Sequence, residues 1–383
     1  MSEIVRIEKM VYGGAGLARG QNGVVFVQGS IPGELVRMEP DGFEGGVARG
    51  KLIELLESSS DRRDPPCAYF GVCGGCDLQF MEYEAQLSCK KEVFQDCLSR
   101  IGKIKHLPQT EVIADKEFGY RLRVQIKNDQ NGAGFYKRKT NEIVAIRNCP
   151  LLVDNLNQLL FALNSRNADI PSVTSIKAIS GKRVVASSPV ISGLTESETE
   201  IEVGKYRFSV QGDSFFQANR FLLEKLGLWA KPYLKGNFCL DLYGGTGFFS
   251  VMLSDLFEEV VLVENMADQV KAARENFHQN GLSHFRAVQA DIERGSGLEA
   301  VPRKKPDCVI VDPPRPGLGR KARTWLAGLA PDYLLYISCN PSTFARDAQF
   351  FIKECGYEIT NCAIFDLYPN THHLESAVIF HRK

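Results

Sequence analysis

The pattern of apolar and polar residues divides the chain into three parts with different predicted structures. Residues 1–57 contain short apolar runs separated by glycine-rich turns, which is typical of a small β-barrel. The polar, proline-ended stretch Ser58–Pro66 predicts a linker. Apolar residues at helical spacing over 82–101 predict a helix, and strand-like alternation follows over residues 118–210. Residues 58–210 therefore predict a mostly β central domain, whose helix we expect to pack on the third part.

Strand and helix patterns alternate in the third part of the chain, residues 211–383. The candidate strands are Phe238–Leu242, Val260–Val263, Phe285–Val288, Cys308–Val311, Leu334–Ile337, Glu358–Ile364 and Ala377–Phe380. Such alternation predicts a mostly parallel sheet with helices on both faces, which is an α/β, Rossmann-like fold. Ligands of such sheets bind at the carboxyl ends of the strands.

Acidic residues stand at the carboxyl ends of the first four of these strands. The first strand runs into the glycine loop Asp241–Gly247. Because glycine has no side chain, the backbone of this loop can turn sharply and approach a ligand. Glu264, Asp291 and Asp312 end the next three strands. A carboxylate at the end of the second strand can accept hydrogen bonds from ribose hydroxyls. The arrangement predicts a nucleoside cofactor, and the Gly-Gly-Thr-Gly order disfavours NAD.

Cys339 ends the fifth predicted strand, in Tyr336–Pro341, and is a candidate nucleophile. A thiolate that adds to carbon 6 of uracil turns the ring into an enolate, whose carbon 5 can attack an activated methyl group. The proton left on carbon 5 must then be removed by a base. Glu375 is our first candidate for this base, with His372 and His373 as alternatives.

Four of the eleven cysteines form a candidate metal-binding set. Cys67, Cys73 and Cys76 are close in sequence, and Cys149 follows far downstream, before a proline. Structural zinc sites usually use paired Cys-x2-Cys motifs, so this spacing favours a [4Fe–4S] cluster, with zinc as the alternative. Four cysteine ligands leave no open iron position, so we expect a structural or RNA-positioning role.

Basic and aromatic residues alternate in Phe118–Arg123, at Lys127 and in Phe135–Lys139. This mixture can neutralise phosphates and stack on bases, although a solvated hairpin face is the competing interpretation. The formal net charge is zero, so any RNA-binding surface has to be local. The chain shows no secretory signal and no apolar stretch of bilayer length, and we expect a cytoplasmic protein.

Four motifs resemble those of a known family. They are Ser214–Asn219, Asp312–Arg315, Ser338–Asp347 and His372–Glu375. Because of these four motifs, the chain resembles the uracil-C5 RNA methyltransferases of the RlmD/TrmA type, which modify 23S rRNA or tRNA. The resemblance runs from the predicted barrel to the last strand. It implies S-adenosylmethionine as cofactor and a Rossmann-like methyltransferase domain.

The resemblance also implies roles for single residues. Cys339 would be the nucleophile and Glu375 the base that takes the carbon-5 proton. Asp312 would lie near the uracil as well as the cofactor. The expected cofactor contacts are Gln217, Tyr243, Glu264, Asp291 and Asp312.

The remaining implications concern the cysteines, the barrel and the RNA. The cysteine spacing matches the family's [4Fe–4S] ligands. The barrel over residues 1–57 is similar to a TRAM domain, which is found on the rRNA-modifying branch. We therefore expect a monomeric enzyme whose partner is RNA, with 23S rRNA favoured over tRNA.

Two functions of other classes stay open at this point. Methylation of an amine, such as adenine N6, uses Asp-Pro-Pro-aromatic loops. Here Arg315 replaces the aromatic residue, and Cys339 and Glu375 would have no task. A non-catalytic RNA-binding iron–sulfur protein would leave the predicted cofactor site unexplained.

Overall fold

The computed structural model describes residues 2–165 and 175–383, so part of the predicted central domain, 166–174, lies outside the described residues. The strands are β1 (Glu3–Met10), β2 (Ala15–Gly20), β3 (Gly23–Gln28), β4 (Leu35–Glu44), β5 (Val47–Glu57), β6 (Thr110–Ile113), β7 (Arg123–Asp129), β8 (Gly132–Tyr136), β9 (Ile143–Ala145), β10 (Ser175–Ser180), β11 (Val185–Ser188), β12 (Glu198–Val203), β13 (Tyr206–Gln211), β14 (Phe238–Leu242), β15 (Glu259–Glu264), β16 (Arg286–Gln289), β17 (Cys308–Val311), β18 (Tyr333–Ser338), β19 (Tyr357–Phe365) and β20 (Glu375–Arg382). The helices are α1 (Tyr83–Arg100), α2 (Asp154–Leu163), α3 (Leu223–Leu228), α4 (Phe248–Met252), α5 (Ala267–Gln279), α6 (Arg320–Leu329) and α7 (Pro341–Cys355).

The first five strands form a closed barrel in the order β1-β2-β3-β5-β4, which confirms the predicted small barrel. Side chains alternate along these strands, and Val5, Ile7, Val27 and Val36 are among those buried in its interior. The barrel is packed against the rest of the molecule, because Met10 at the end of β1 belongs to a core of the α/β domain.

The α/β domain is built on an eight-stranded sheet in the order β16-β15-β14-β17-β18-β20-β19-β6. The first five strands in that order are parallel, and β20 pairs antiparallel with β18 and β19. Every residue of β14 and β17 is buried, as expected for parallel strands covered on both faces. Cys239 of β14 lies in one core, and Leu240 and Leu242 of the same strand lie in the other. The predicted mostly parallel, doubly covered sheet is confirmed.

Two elements from the middle of the chain complete this domain. The helix predicted over 82–101 is α1, which lies against α7, where the rings of Phe94 and Phe344 stack with centroids 6.0 Å apart. The strand β6 was not predicted, and it pairs parallel with β19 at the edge of the sheet. The eight-stranded sheet therefore includes residues that the sequence assigned to the central domain.

The rest of the middle segment is mostly β, as predicted. It contains a five-stranded sheet in the order β11-β10-β7-β8-β9 and a separate pair, β12-β13. The helix α2 contacts β8 and β10, and Leu156, Leu160 and Ile176 are fully buried in this region. Among the residues that the structure describes, no helix combines the length and the apolar character needed to cross a membrane.

Candidate active site

A cavity of about 840 Å³ opens at the carboxyl ends of the parallel strands. Cys339 and Glu375 both line it, and so do all of the predicted cofactor contacts. Those contacts are Gln217, Tyr243, Glu264, Asp291 and Asp312. The fold therefore brings together in one cavity residues that are far apart in sequence.

The turn after β14 shapes the end of the cavity predicted to hold the cofactor. Tyr243 has a left-handed backbone (φ 58°), which is costly for a residue other than glycine, and its hydroxyl donates to Glu293 at 2.7 Å. The Gly245 amide donates to the Glu264 carboxylate at 3.2 Å. The amides of the two residues after Glu264 donate to its other oxygen at 2.8 and 2.9 Å. Backbone amides thus fix this carboxylate at the cavity wall.

Two connected loops carry Asp312 and Cys339. Cys339 follows β18, and Asn340 caps α7, its side chain accepting a hydrogen bond from the amide two residues ahead at 3.0 Å. The side chains of Asn340 and Thr343 donate to the Arg315 carbonyl at 3.2 and 3.0 Å. These hydrogen bonds hold the loop of Cys339 in a fixed position relative to the loop that begins at Asp312.

Cys339, Glu375 and Asp312 are buried close together, so ionisation of one makes ionisation of the others less favourable. Burial, followed by the charges of Glu375 and Asp312, raises the pKa of the Cys339 thiol to about 11, while Arg315 acts in the opposite direction. Burial and the charge of Asp312 raise the pKa of Glu375, a residue only 6% exposed. Burial and the charge of Asp241 raise the pKa of Asp312 to about 7. A cation bound among these groups would lower all three raised pKa values.

The two histidines near Glu375 have different surroundings. The Asp77 carboxylate accepts hydrogen bonds from His372 Nδ1 at 2.6 Å and from the His372 amide at 3.2 Å. His373 lines the cavity, and burial, followed by the charges of His372 and Arg315, lowers its pKa to about 3. An imidazole with so low a pKa is a weak base. The environment therefore favours Glu375 over His373 as the base.

The predicted metal ligands Cys67, Cys73, Cys76 and Cys149 all line a second cavity of about 240 Å³. Burial raises the pKa of Cys76 to about 12 and that of Cys149 to about 11, so these thiols are protonated at neutral pH unless a cation lies beside them. Within residues 2–165 and 175–383, no three His, Cys, Asp or Glu side chains are arranged as ligands of a metal ion. The four thiols share a cavity, but the cluster is not confirmed.

The thiol loop, residues 73–77, forms part of both cavities. Gly74 and Gly75, between Cys73 and Cys76, line the thiol cavity and the active-site cavity alike. Gly74 also packs tightly, because a Cβ atom there would lie 3.0 Å from the Tyr136 carbonyl oxygen. A shift of the thiol loop would therefore move a wall of the active site.

The predicted RNA contacts are only partly exposed. Tyr120, in the run Phe118–Arg123, is fully buried and its hydroxyl donates to the Pro369 carbonyl at 3.1 Å. The prediction is wrong for this residue, because alternate residues of an extended segment point into the core. The guanidinium of Arg138 is paired with the Asp77 carboxylate.

Some residues of the cavity received no role from the sequence. Phe215 and Glu293 are two of them. Phe215 is 51% exposed, and the Arg123 guanidinium lies 5.5 Å from its ring centroid. An exposed aromatic ring beside a cation is suited to stack on a nucleobase. The motif Ser214–Asn219 contains Phe215, but which of its two phenylalanines is exposed depends on the fold.

Comparisons with known proteins bear on what this cavity does. Residues 167–383 match a family model described as tRNA (Uracil-5-)-methyltransferase. A protein of Aquifex aeolicus named as an uncharacterized RNA methyltransferase is 32% identical over 98% of this chain and 98% of its own length. The 23S rRNA (uracil(1939)-C(5))-methyltransferase RlmD of Aliivibrio fischeri is 28% identical, over 99% of this chain and 95% of its own length.

A solved structure shares the whole fold. The Pyrococcus abyssi tRNA (uracil-54, C5)-methyltransferase, in complex with S-adenosyl-L-homocysteine, matches 99% of this chain and 100% of its own with a TM-score of 0.78 and 23% sequence identity. The predicted Rossmann-like methyltransferase fold with an amino-terminal barrel is thereby confirmed. The chain belongs to the tRNA (uracil-5-)-methyltransferase family and is an RNA uracil-C5 methyltransferase.

Proposed function

We propose that this chain uses S-adenosylmethionine to methylate carbon 5 of a uridine in 23S rRNA, with Cys339 as nucleophile and Glu375 as base. The observation that carries the proposal is that both side chains line one cavity with the five candidate cofactor contacts. An amine methyltransferase would have no use for this thiol and carboxyl. A non-catalytic RNA-binding protein would have no use for the cavity.

The cavity is suited to S-adenosylmethionine. Its volume of about 840 Å³ is typical of small-molecule sites. Glu264 ends a parallel strand and is suited to accept hydrogen bonds from ribose hydroxyls, and Asp291 lies beyond the next strand, where the adenine would be. The Pyrococcus abyssi enzyme, solved with S-adenosyl-L-homocysteine, supports this assignment. When bound, the cofactor supplies a methyl group on a positively charged sulfur.

Cys339 and Glu375 would divide the chemistry on the uracil. The Cys339 thiolate adds to carbon 6, and the electrons of the 5,6 double bond move toward carbon 5 and oxygen 4. Carbon 5 then takes the methyl group, and the electrons of the broken sulfur–carbon bond stay on the sulfur. Glu375 removes the carbon-5 proton, whose bonding electrons restore the double bond and expel the Cys339 thiolate.

The raised pKa values suit this order of events. In the free protein, burial and neighbouring carboxylates raise the pKa of Cys339 to about 11 and also raise the pKa of Glu375. A cationic sulfur in the cavity would favour the ionised forms of both groups. Loss of that positive charge on methyl transfer would raise the proton affinity of Glu375 at the stage when it has to act as a base.

The choice of RNA rests on the relatives. The Aliivibrio fischeri enzyme, which its name assigns to 23S rRNA, is 28% identical to this chain, and the Pyrococcus abyssi enzyme, assigned to tRNA, is 23% identical. The difference favours 23S rRNA. Mass-spectrometric mapping of both RNAs from a deletion strain tests the choice. We expect one 5-methyluridine to disappear from 23S rRNA, whereas a loss confined to tRNA would overturn it.

We further propose a [4Fe–4S] cluster on Cys67, Cys73, Cys76 and Cys149. The proposal is supported by the cavity that the four cysteines share. It is also supported by two hydrogen bonds to sulfur: Gln79 Nε2 donates to Cys76 Sγ at 3.1 Å, and the Gly75 amide donates to Cys73 Sγ at 3.4 Å. Hydrogen bonds to the sulfurs are one means by which proteins tune such clusters. With no open iron position, the cluster would fix the loop that forms the wall between the two cavities.

Substitution of Cys339 tests the nucleophile. Cys339→Ala should abolish methyl transfer and leave folding and cofactor binding intact, because the thiol is needed only for addition to carbon 6. Cys355→Ala is the matched control, since Cys355 ends α7 and is not among the residues that line the cavity. Retained activity in Cys339→Ala would reject the proposed nucleophile.

Substitution of Glu375 tests the base. Glu375→Gln keeps the shape of the side chain and removes its basicity, so addition and methylation should proceed while elimination stalls. A methylated protein–RNA adduct should accumulate on a denaturing gel, and it should be absent from the double variant with Cys339→Ala. Normal turnover of Glu375→Gln would transfer the role of base to His373 or His372.

A further inference from the structure

The turn between β1 and β2 reaches from the barrel into the active site. The Tyr12 hydroxyl donates to the Cys339 carbonyl at 3.3 Å. The Tyr12 ring also meets the His372 ring edge-on, with centroids 6.1 Å apart. Gly14 (φ 77°) packs against the same histidine, and a Cβ atom at this position would lie 3.0 Å from His372 Cβ. The barrel therefore contacts both the loop of the candidate nucleophile and the segment of the candidate base.

The turn that carries Tyr12 is firmly attached to the α/β domain. Met10 is 5% exposed and belongs to a core of that domain. Lys9 forms an ion pair with Asp96 of α1 at 2.6 Å. Burial raises the pKa of Tyr12, so its hydroxyl keeps its proton and remains a donor at neutral pH.

The carbonyl that accepts this hydrogen bond lies between two elements. The β18–β20 ladder ends at Ser338, and the first helical hydrogen bond of α7 is accepted by the Asn340 carbonyl, from Phe344 at 3.0 Å. The Cys339 carbonyl therefore belongs to neither ladder. Tyr12 supplies the partner that the strand and the helix do not.

We propose that Tyr12 is a positioning residue for methyl transfer, which holds the Cys339 peptide so that the thiol faces the uracil. The barrel then completes the catalytic site in addition to any contact that it makes with RNA. This inference rests on the proposed role of Cys339 and extends it to a residue outside the methyltransferase domain.

The test uses the full-length enzyme and RNA in which 5-fluorouridine replaces the target uridine. A base can remove hydrogen from carbon 5 as a proton, but it cannot remove fluorine in this way. With S-adenosylmethionine present, the methylated adduct with Cys339 therefore persists, and its rate of formation can be followed on a gel. Tyr12→Phe removes the hydroxyl and keeps the ring. It should slow adduct formation and kcat about fivefold, the rate equivalent of one neutral hydrogen bond, with KM for RNA and thermal stability unchanged.

Tyr233→Phe is the matched control, because the Tyr233 hydroxyl has no hydrogen-bond partner in the part of the chain that the structure describes. Wild-type adduct formation in Tyr12→Phe would overturn the proposal. A raised KM or a lowered melting temperature with an unchanged rate of adduct formation would also overturn it, since the barrel would then serve only docking or RNA binding. Adduct formation in Cys339→Ala would instead reject the proposed nucleophile itself.

Discussion

A buried positive charge on α1 holds the segment that leads to Glu375. The Lys90 ammonium donates to Asp366 Oδ1 at 2.5 Å and to the Tyr368 carbonyl at 3.1 Å. The side chains of Lys90 and Asp366 are 4% and 2% exposed, so water stabilises neither charge. The Tyr83 hydroxyl also lies beside Asp366, but it carries no charge that could replace the Lys90 ammonium.

Lys90→Met keeps an unbranched apolar side chain and removes the charge. Asp366 would then be buried without a counter-charge, and we expect a loss of about 3–5 kcal/mol in the free energy of unfolding. This is a large share of the roughly 5–15 kcal/mol that stabilises a typical protein. The double variant with Asp366→Leu removes both charges and should recover most of the loss.

Tryptophan fluorescence during urea unfolding can measure this effect at the segment itself. Trp229 lies edge-on to Phe365, the neighbour of Asp366, with ring centroids 6.2 Å apart. The chain has two tryptophans, so Trp325→Phe leaves Trp229 as the reporter. Lys91→Met, one residue further along α1, is the control and should change stability by less than about 0.5 kcal/mol. If Lys90→Met unfolds at the same urea concentration as this control, the reasoning is refuted.

Two further predictions concern the thiols. Protein purified without oxygen should be brown and contain about four irons per chain, and Cys149→Ser should lose both colour and iron; stoichiometric zinc without iron would reject the cluster. Alkylation of Cys339, measured by mass spectrometry of its peptide, should be slow at pH 7 and accelerate toward pH 11, because burial and neighbouring carboxylates raise the pKa of this thiol to about 11. Cationic S-adenosylmethionine should move this dependence of the alkylation rate on pH to lower pH, and neutral S-adenosylhomocysteine should not. The same pH dependence with both compounds would show that the sulfonium does not lie near the thiol.

The sequence predicted best those elements whose structure depends on local pattern. Strands such as β14 and β17 are buried on both faces, so they are short apolar runs whose ends are marked by turns and acids. Cys339 could be proposed because the carboxyl ends of parallel strands meet at one edge of a sheet. Glu375 could be proposed from the motif His372–Glu375, which resembles that of the family. The strand β6 has no such signal, since only one of its four residues is buried and its partner β19 is distant in the chain.

Tertiary contacts that contradict a residue's usual behaviour could not be predicted. A lysine on a helix is expected to be exposed, yet Lys90 is buried because Asp366 lies opposite it. Tyr120 lies in a run of basic and aromatic residues that is typical of RNA contacts, but its side chain faces the core. The contact of Tyr12 with Cys339 joins the first strands to the last part of the sheet, and no local pattern in the barrel indicates it.

The segment 366–375 shows why the proposed base Glu375 can depend on distant parts of the chain. Asn370 has a left-handed backbone (φ 66°), a conformation that persists in a non-glycine residue only when its surroundings impose it. Here the Asn370 amide donates to the Gln86 side chain of α1 at 2.9 Å. The Asn370 carbonyl accepts from the Asp77 amide of the thiol loop, also at 2.9 Å. A third hydrogen bond runs from the Asn219 side chain to the Leu367 carbonyl at 3.3 Å. Each partner comes from a different part of the sequence, so the loss of one should loosen the segment without unfolding the protein. Because the proposed base Glu375 ends this segment, we expect substitution of Gln86 or Asn219 to slow elimination, measured as accumulation of the methylated adduct, more than it weakens RNA binding.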